Sequence, residues 1–572
     1  MSSRESKIVD LADALHLMLR SLPTSTDGRY DAQVKPPTEY VDPNASHSKI
    51  YGFLKELDED KRFGPIIDDP KLIPSILDAA MNKDAINDRS LVFNQALYIL
   101  TRLPEGSKIS KKISDLVITA LYNTVPHPPA TFIGSSSTSS SPFTQSPSTA
   151  ANTNEGRSLY ASRSADGSGN NPLCPQMGQA GMPYARSVQS KHPLPPHLLP
   201  DTGLVFDALL KARDFKPHPG GNSSMTFAYA SLVTHQLFRT DPMDMTKNNT
   251  SSYLDLSVLY GTSQAQQDDV RDKKKGLGLL YPDAFAEDRL LFVPPAATAL
   301  LVIFSRNHNY IANMLVRINE RKRWSIPPPE DPAKRAAQDE EIFQTARLVN
   351  CGHYMSTIFG DYVAGFLGTT REGNTYRLQP FDTIKTSTGA LPRGEGNHVS
   401  VEFNLLYRWH PTTAAEDIVW TEDLFKDAFG KPPSEIQLAD FVPAVRKIWS
   451  TVQAEPHLRT FAGLQRGPDG KFSDDDLARI LQDSTDKAAG AYRARGTPEV
   501  LRIIEIMGME QARKWGVCTM NEFREFLGLK RFSSFKEWNS DEDIARTAEL
   551  LYGHIDNFGI VSLVFKPRKS FP

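Results

Sequence analysis

Apolar residues recur every three to four positions along most of this chain and nowhere settle into the strict alternation of a half-buried strand. The segment ESKIVDLADALHLMLRSL sets Ile8, Leu11, Leu15 and Met18 at helical spacing, and KLIPSILDAAMNK and RSLVFNQALYILTRL keep the rhythm. Ile342, Ala346 and Val349 carry a long stripe through EEIFQTARLVNCGHYMSTIFGDYVAGFLG. The pattern predicts a mainly α fold without internal repeats. With 572 residues, of which 40% are hydrophobic and 23% charged, the chain can bury a large core. That composition excludes a mostly disordered, collagen-like or coiled-coil chain.

The charge balance narrows the partners. Sixty-five basic residues face 68 acidic ones, for a net charge of -3. No clustered basic excess marks a nucleic-acid footprint, and no polybasic block marks an anchor to anionic lipid. Cys174, Cys351 and Cys518 lie too far apart in sequence for a disulfide framework or a local zinc cluster, which favours a reducing compartment. Charges interrupt the N-terminal MSSRESKIVDLADALHLMLR, unlike a signal peptide. The strongest apolar run, LLFVPPAATALLVIF, is shorter than the roughly 20 residues of a membrane span and contains Pro294 and Pro295. An intracellular, cytoplasmic protein without a transmembrane helix is expected.

Organisation follows composition. Residues 1–133 read as short helices with polar joints. Residues 134–157 are so rich in Ser and Thr that they cannot bury enough apolar surface to offset their ordering entropy, and a disordered insert is expected there. A Gly-, Pro- and Asn-rich connection runs to about residue 200, after which helical patterning dominates.

Two of the 13 histidines have suggestive surroundings. In EFNLLYRWHP, Tyr407 and His410 stand three apart, which on a helix places them on one face one turn apart, with a break expected at Pro411. A histidine there suits an axial haem ligand, and the tyrosine a redox partner beside it. His235, inside FAYASLVTHQLFRTDP, suits a distal acid/base, although an isolated histidine among apolar neighbours is more often a core residue. Downstream, Ser251, Asp255 and Ser257 alternate hydroxyl and carboxylate oxygens around the carbonyl of Tyr253, as hard ligands for Ca²⁺ would. One carboxylate is few for a tight site, and a Ser/Thr-rich helix-capping turn is the plainer alternative. No P-loop, dinucleotide fingerprint, HExxH or GxSxG motif is present.

Taken in order, NNPLCPQMGQAGMPYARSV, THQLFRTDP, TSSYLDLSVLYG, RNHNYIANML, EEIFQTARLVNCG, EFNLLYRWH and LLYGHID resemble the fungal fatty-acid dioxygenases (linoleate diol synthases and psi-factor-producing oxygenases) of the animal haem peroxidase–cyclooxygenase superfamily. The resemblance implies a haem peroxidase/cyclooxygenase-like helical domain over residues 158–557. It implies His410 as the proximal ligand of haem b, Tyr407 as the radical-bearing tyrosine and His235 as the distal histidine. Ser251, Tyr253, Asp255 and Ser257 become a calcium loop, and His308 of RNHN a structural residue. The implied partners are an unsaturated C18 fatty acid such as linoleate, O₂ and an activating peroxide. The implied product is a hydroperoxide, an oxylipin precursor. Peripheral lipid contact and a homo-oligomer remain open.

Three departures from the family pattern qualify these expectations. Gln236 follows His235 where the superfamily carries a calcium-binding Asp. The apolar run before RNHN lacks the Arg and Glu of the peroxidase branch, which argues against covalent haem and suits an acyl channel. After LLYGHID the chain reads NFGIVSLVFKPRKSFP, so residues 558–572 are expected to be an out-of-family tail on an incomplete domain, without diol synthase activity. An inactive haem- or lipid-binding remnant and a haem peroxidase acting on small reductants are the competing readings.

Overall fold

The structure, a computed structural model, describes residues 162–170, 174–191, 193–367, 398–527 and 529–560, with 131–133 and a few isolated positions. Nearly all of the expected N-terminal helical part and the whole Ser/Thr-rich insert lie outside the described residues. The helices that build the site are α1 (Ser224–Leu237), α2 (Pro295–Ile318), α3 (Pro332–Thr357), α4 (Val401–Leu406), α5 (Ala415–Phe429), α6 (Leu438–Trp449), α7 (Asp474–Asp486), α8 (Arg502–Trp515), α9 (Met520–Phe526) and α10 (Glu542–Tyr552). The named strands are two-residue pieces, such as Met182–Pro183 paired antiparallel with Lys247–Asn248. The mainly α expectation holds.

The apolar run that opens α2 explains the centre of the fold. Pro294 and Pro295 do not break it; they start it, because a first-turn proline has no helical hydrogen bond to lose. Ala296, Ala297, Ala299, Leu301, Val302 and Phe304 are all buried, so α2 is a core helix packed against α1 and α3. Burying a side chain such as Leu301 contributes about 1.5–3 kcal/mol, and truncating it to Ala would cost about 2–5 kcal/mol. No described helix is long and apolar enough to cross a membrane.

Farther along α2, His308 is fully buried between two fixed partners. Tyr260 Oη lies 2.8 Å from its Nδ1 and the Gly278 carbonyl 2.9 Å from its Nε2. Asn350 of α3 donates to the same Tyr260 hydroxyl at 2.9 Å, tying the two helices through one polar knot. On α3, Ile342 and Ala346 are buried as the stripe predicts, but Val349 is 47% exposed. The buried arc of α3 also holds Phe343, Asn350, Cys351 and Tyr354, and this centres it one position away from Val349.

At the other end, Phe558 and Ile560 are core residues, and the Phe558 carbonyl accepts from Met520 N at 2.8 Å. The packed body thus runs three residues past the boundary set at residue 557.

Candidate active site

The segment before His410 folds differently from a continuous helix. Ser400 caps α4 by accepting from Phe403 N at 3.2 Å, and α4 ends at Leu406. Tyr407 has φ -85° and ψ 56°, outside the helical region, and His410 opens a separate 3-10 turn, His410–Thr412, with Pro411 in its first turn. Tyr407 and His410 therefore do not share a helical face; the helix breaks at Tyr407, four residues ahead of Pro411. This irregular link aims each side chain independently.

His410 Nδ1 lies 2.8 Å from Glu505 Oε1 on α8. Burial alone would raise the Glu505 carboxyl, but the charge and hydrogen bond of His410, with Arg408 behind, hold it below the usual carboxylate range. Arg408 reaches Asn404 Oδ1 at 3.4 Å and Gln511 Oε1 at 3.3 Å. It passes so close to α8 that a β-carbon at Gly508 would come within 1.6 Å of its Nη1. With Nδ1 committed as a donor, the His410 Nε2 lone pair is available to a metal, and the imidazole is 27% exposed. These groups fit a haem iron: an imidazole fixed through Nδ1, backed by a 3%-exposed carboxylate.

Tyr407 forms a short hydroxyl–hydroxyl hydrogen bond with Tyr362, the last residue of a π-helical turn, Ile358–Tyr362, that continues α3. Burial pushes the Tyr407 phenol up to about 12, and burial raises Tyr362 as well. Trp409 packs its ring edge-on to Tyr407 at 5.4 Å and stacks on Phe366 at 4.9 Å. The result is an aromatic cage around one phenolic oxygen.

Helix α1 lines the same region. Its Phe227 meets Trp409 at 5.8 Å between ring centroids, and Phe238 just past its end meets Tyr407 at 6.5 Å. His235 lies between these contacts in sequence, within about 80° of Phe227 around the helix. His235 Nδ1 is 2.7 Å from the Ser231 carbonyl, so Nδ1 carries the proton and Nε2 is a bare base. Burial lowers its pKa from 6.5 to about 4, and the charge of Arg289 adds to the shift. Although part of its surface stays open, it is neutral at neutral pH. Arg289 clasps the end of the helix, donating to the His235 carbonyl at 2.9 Å and the Phe238 carbonyl at 2.8 Å. Glu287 anchors Arg289 at 2.7 Å; burial raises the Glu287 carboxyl, but the Arg289 charge prevails and brings it to about 2.

The four loop oxygens lie beside Gln236 of α1, but as a donor set they do not fit Ca²⁺. Gln236 Nε2 donates to the Tyr253 carbonyl at 3.2 Å, and Ser251 Oγ to Asp255 Oδ2 at 2.8 Å. Asp241 and Asp244 do not supply the missing carboxylate: each accepts the backbone amides of its own 241–247 turn. No group of three or more His, Cys, Asp or Glu side chains suited to a metal occurs among the described residues.

Sequence reasoning thus named Tyr407, His410 and His235 but missed Glu505, Tyr362 and Arg289. Glu505 does leave a trace: it is a lone carboxylate between Ile503 and Ile506 on the apolar side of α8. A buried acid in such a row asks for a partner.

Comparisons with known proteins bear on the family and the fold. The animal haem peroxidase family profile matches residues 285–562. Linoleate 10R-lipoxygenase of Aspergillus fumigatus is 37% identical over 95% of this chain and 45% of its own length. Psi-producing oxygenase A of the same fungus is 38% identical over 97% of this chain and 48% of its own length. Linoleate diol synthase of Gaeumannomyces graminis is 37% identical over 85% and 40%. The chain spans less than half the length of these curated relatives. Among solved structures, the fatty acid alpha-dioxygenase of Oryza sativa superposes with a TM-score of 0.52 at 15% identity, covering 84% of each chain. That of Arabidopsis thaliana gives 0.52 at 14% identity, covering 88% of this chain and 86% of its own. Both likenesses show the fold.

Proposed function

We propose that this chain, which carries an animal haem peroxidase domain and is a homologue of the fungal linoleate diol synthases and psi-producing oxygenases, is a haem-dependent dioxygenase that converts unsaturated C18 fatty acids such as linoleate to hydroperoxides. The observation that carries the reading is a half-buried, hydrogen-bonded phenol three residues before a histidine whose imidazole a buried carboxylate fixes. Haem b, held non-covalently, supplies one-electron oxidising power once a peroxide has reacted with it.

The chain's own groups divide the remaining work. His410 would hold the iron, with Nε2 as the nitrogen left free for it, and Glu505 holds His410. His235, neutral and bare at Nε2, takes the proton of the incoming peroxide and returns it to the departing oxygen. Tyr407 would give one electron to the peroxide-oxidised haem and its phenolic proton to water, and Tyr362 would orient that hydroxyl. The Tyr407 oxygen then takes a hydrogen atom from the activated carbon of the fatty acid. O₂ adds to the carbon radical, and the peroxyl group takes the hydrogen atom back from Tyr407, which regenerates the phenoxyl radical for another turnover. The aromatic cage of Trp409, Phe366 and Phe227 holds the acyl chain near this oxygen and keeps water out. Peripheral lipid contact and a homo-oligomer are compatible with this role. No calcium ion takes part in it.

Tyr407→Phe is the test, since it keeps the ring packing and removes only the hydroxyl. Oxygen uptake with linoleate is expected to fall to background while peroxidase turnover of a small reductant persists. Unchanged oxygenation would overturn the proposal.

A further inference from the structure

We infer that Gln236 takes the place of a cation, so that the loop of residues 251–257 is tied to α1 by protons and needs no calcium. Of the four groups that would face an ion, the Tyr253 carbonyl and the Asp255 carboxylate already accept hydrogen bonds from the chain, and the hydroxyls of Ser251 and Ser257 donate theirs within it. The Tyr253 carbonyl accepts from Gln236 Nε2 at 3.2 Å. Asp255 accepts from Ser257 N at 3.1 Å through Oδ1 and from Ser251 Oγ at 2.8 Å through Oδ2. The Gln236 carbonyl accepts from Ser257 Oγ at 3.4 Å. An amide hydrogen sits where a ligand lone pair would have to be.

Charge argues the same way. Ca²⁺ takes six to eight oxygens at about 2.3–2.6 Å and favours several carboxylates. Here Gln236, Ser251, Asp255 and Ser257 are at most 4% exposed, and Asp255 is the one carboxylate among them. A divalent ion would leave a net positive charge buried without compensation, which is costly. Turning the Gln236 amide over would set Oε1 against the Tyr253 carbonyl, two acceptors in repulsive contact; the orientation with Nε2 on that carbonyl avoids this and leaves Oε1 buried without a partner among the described residues.

Packing supplies the rest of the closure. The Tyr253 ring lies on Gly178, where a β-carbon would come within 2.4 Å of it, and φ is +76°. The Tyr253 hydroxyl donates to the Met177 carbonyl at 2.8 Å, and Ser252 N donates to the Gly178 carbonyl at 2.9 Å. The loop is anchored at its apex without an ion.

The test uses the full chain with haem. Metal analysis after gel filtration should find calcium far below one ion per chain. Neither a chelator nor added CaCl₂ should move the melting temperature. Gln236→Asp should create what the parent lacks: a melting temperature that rises with CaCl₂, with affinity at least about 100-fold above the parent's by calcium titration. One tightly held calcium per parent chain, or a chelator-induced fall in its melting temperature, would overturn the inference. So would a Gln236→Asp chain that folds and ignores calcium. Should that variant fail to accumulate, the metal content and chelator response of the parent decide alone.

Discussion

The two histidines of the site are held in the same way by very different partners. Each commits Nδ1 to an acceptor and keeps Nε2 for chemistry. For His235 the acceptor is the Ser231 carbonyl, one turn back on its own helix. For His410 it is a carboxylate, Glu505, 95 residues away on another helix. A carbonyl fixes the tautomer and adds no net charge, so the ring stays a neutral base. A buried carboxylate also pulls on the N–H and makes the opposite nitrogen a stronger electron donor, which suits a metal ligand. One imidazole is thus fixed locally, the other by tertiary packing.

The largest break of this comparison is expected at His235. His235→Leu should leave haem binding intact and slow peroxide activation by about 10²–10⁴-fold, measured by stopped-flow decay of the resting Soret band. Equal loss of haem binding would mean that both histidines hold the iron. Glu505→Gln sharpens the contrast on the other side. It keeps a hydrogen-bonding partner but removes the charge, and haem affinity or activity should fall by about 10–100-fold. An affinity unchanged from the parent's would reduce Glu505 to a packing residue.

Acid gives a further effect, carried by His235 and by the core residue His308. Burial holds His235 and His308 at about 4 against an ordinary 6.5, so both are neutral in the folded chain. The unfolded chain takes up these protons first. The stability that follows is fully present above pH 6.5 and drains away as pH falls towards 4, by on the order of 2 kcal/mol for each group. Urea midpoints measured across that window should fall, and His308→Gln should flatten part of the slope. A flat profile in the parent would mean that neither ring is shielded.

The same contrast explains what was legible in the sequence. His235 sits in a local frame: its helix, its acceptor and its apolar neighbours are within a few residues. The helical rhythm of the chain was readable for the same reason, whereas the apolar run expected to suit an acyl channel is packed as the core of α2. Tyr407 and His410 were named from the YRWH match, yet their shared helical face was not realised, because tertiary contacts to Tyr362 and Glu505 set each side chain separately. Glu505, Tyr362 and Arg289 stayed hidden because their partners are distant in sequence, and periodicity reports burial but not pairing. Val349 shows the limit on a finer scale: three stripe positions fix a helix but not the edge of its buried arc.

The central claim is that His410, backed by Glu505, is where haem is held. Titrating haem into the purified chain and into His410→Ala, and following the Soret absorbance, tests it most directly. The account predicts a saturable band in the parent that disappears in His410→Ala while far-ultraviolet circular dichroism stays the same. A Soret band of equal affinity in His410→Ala would contradict it.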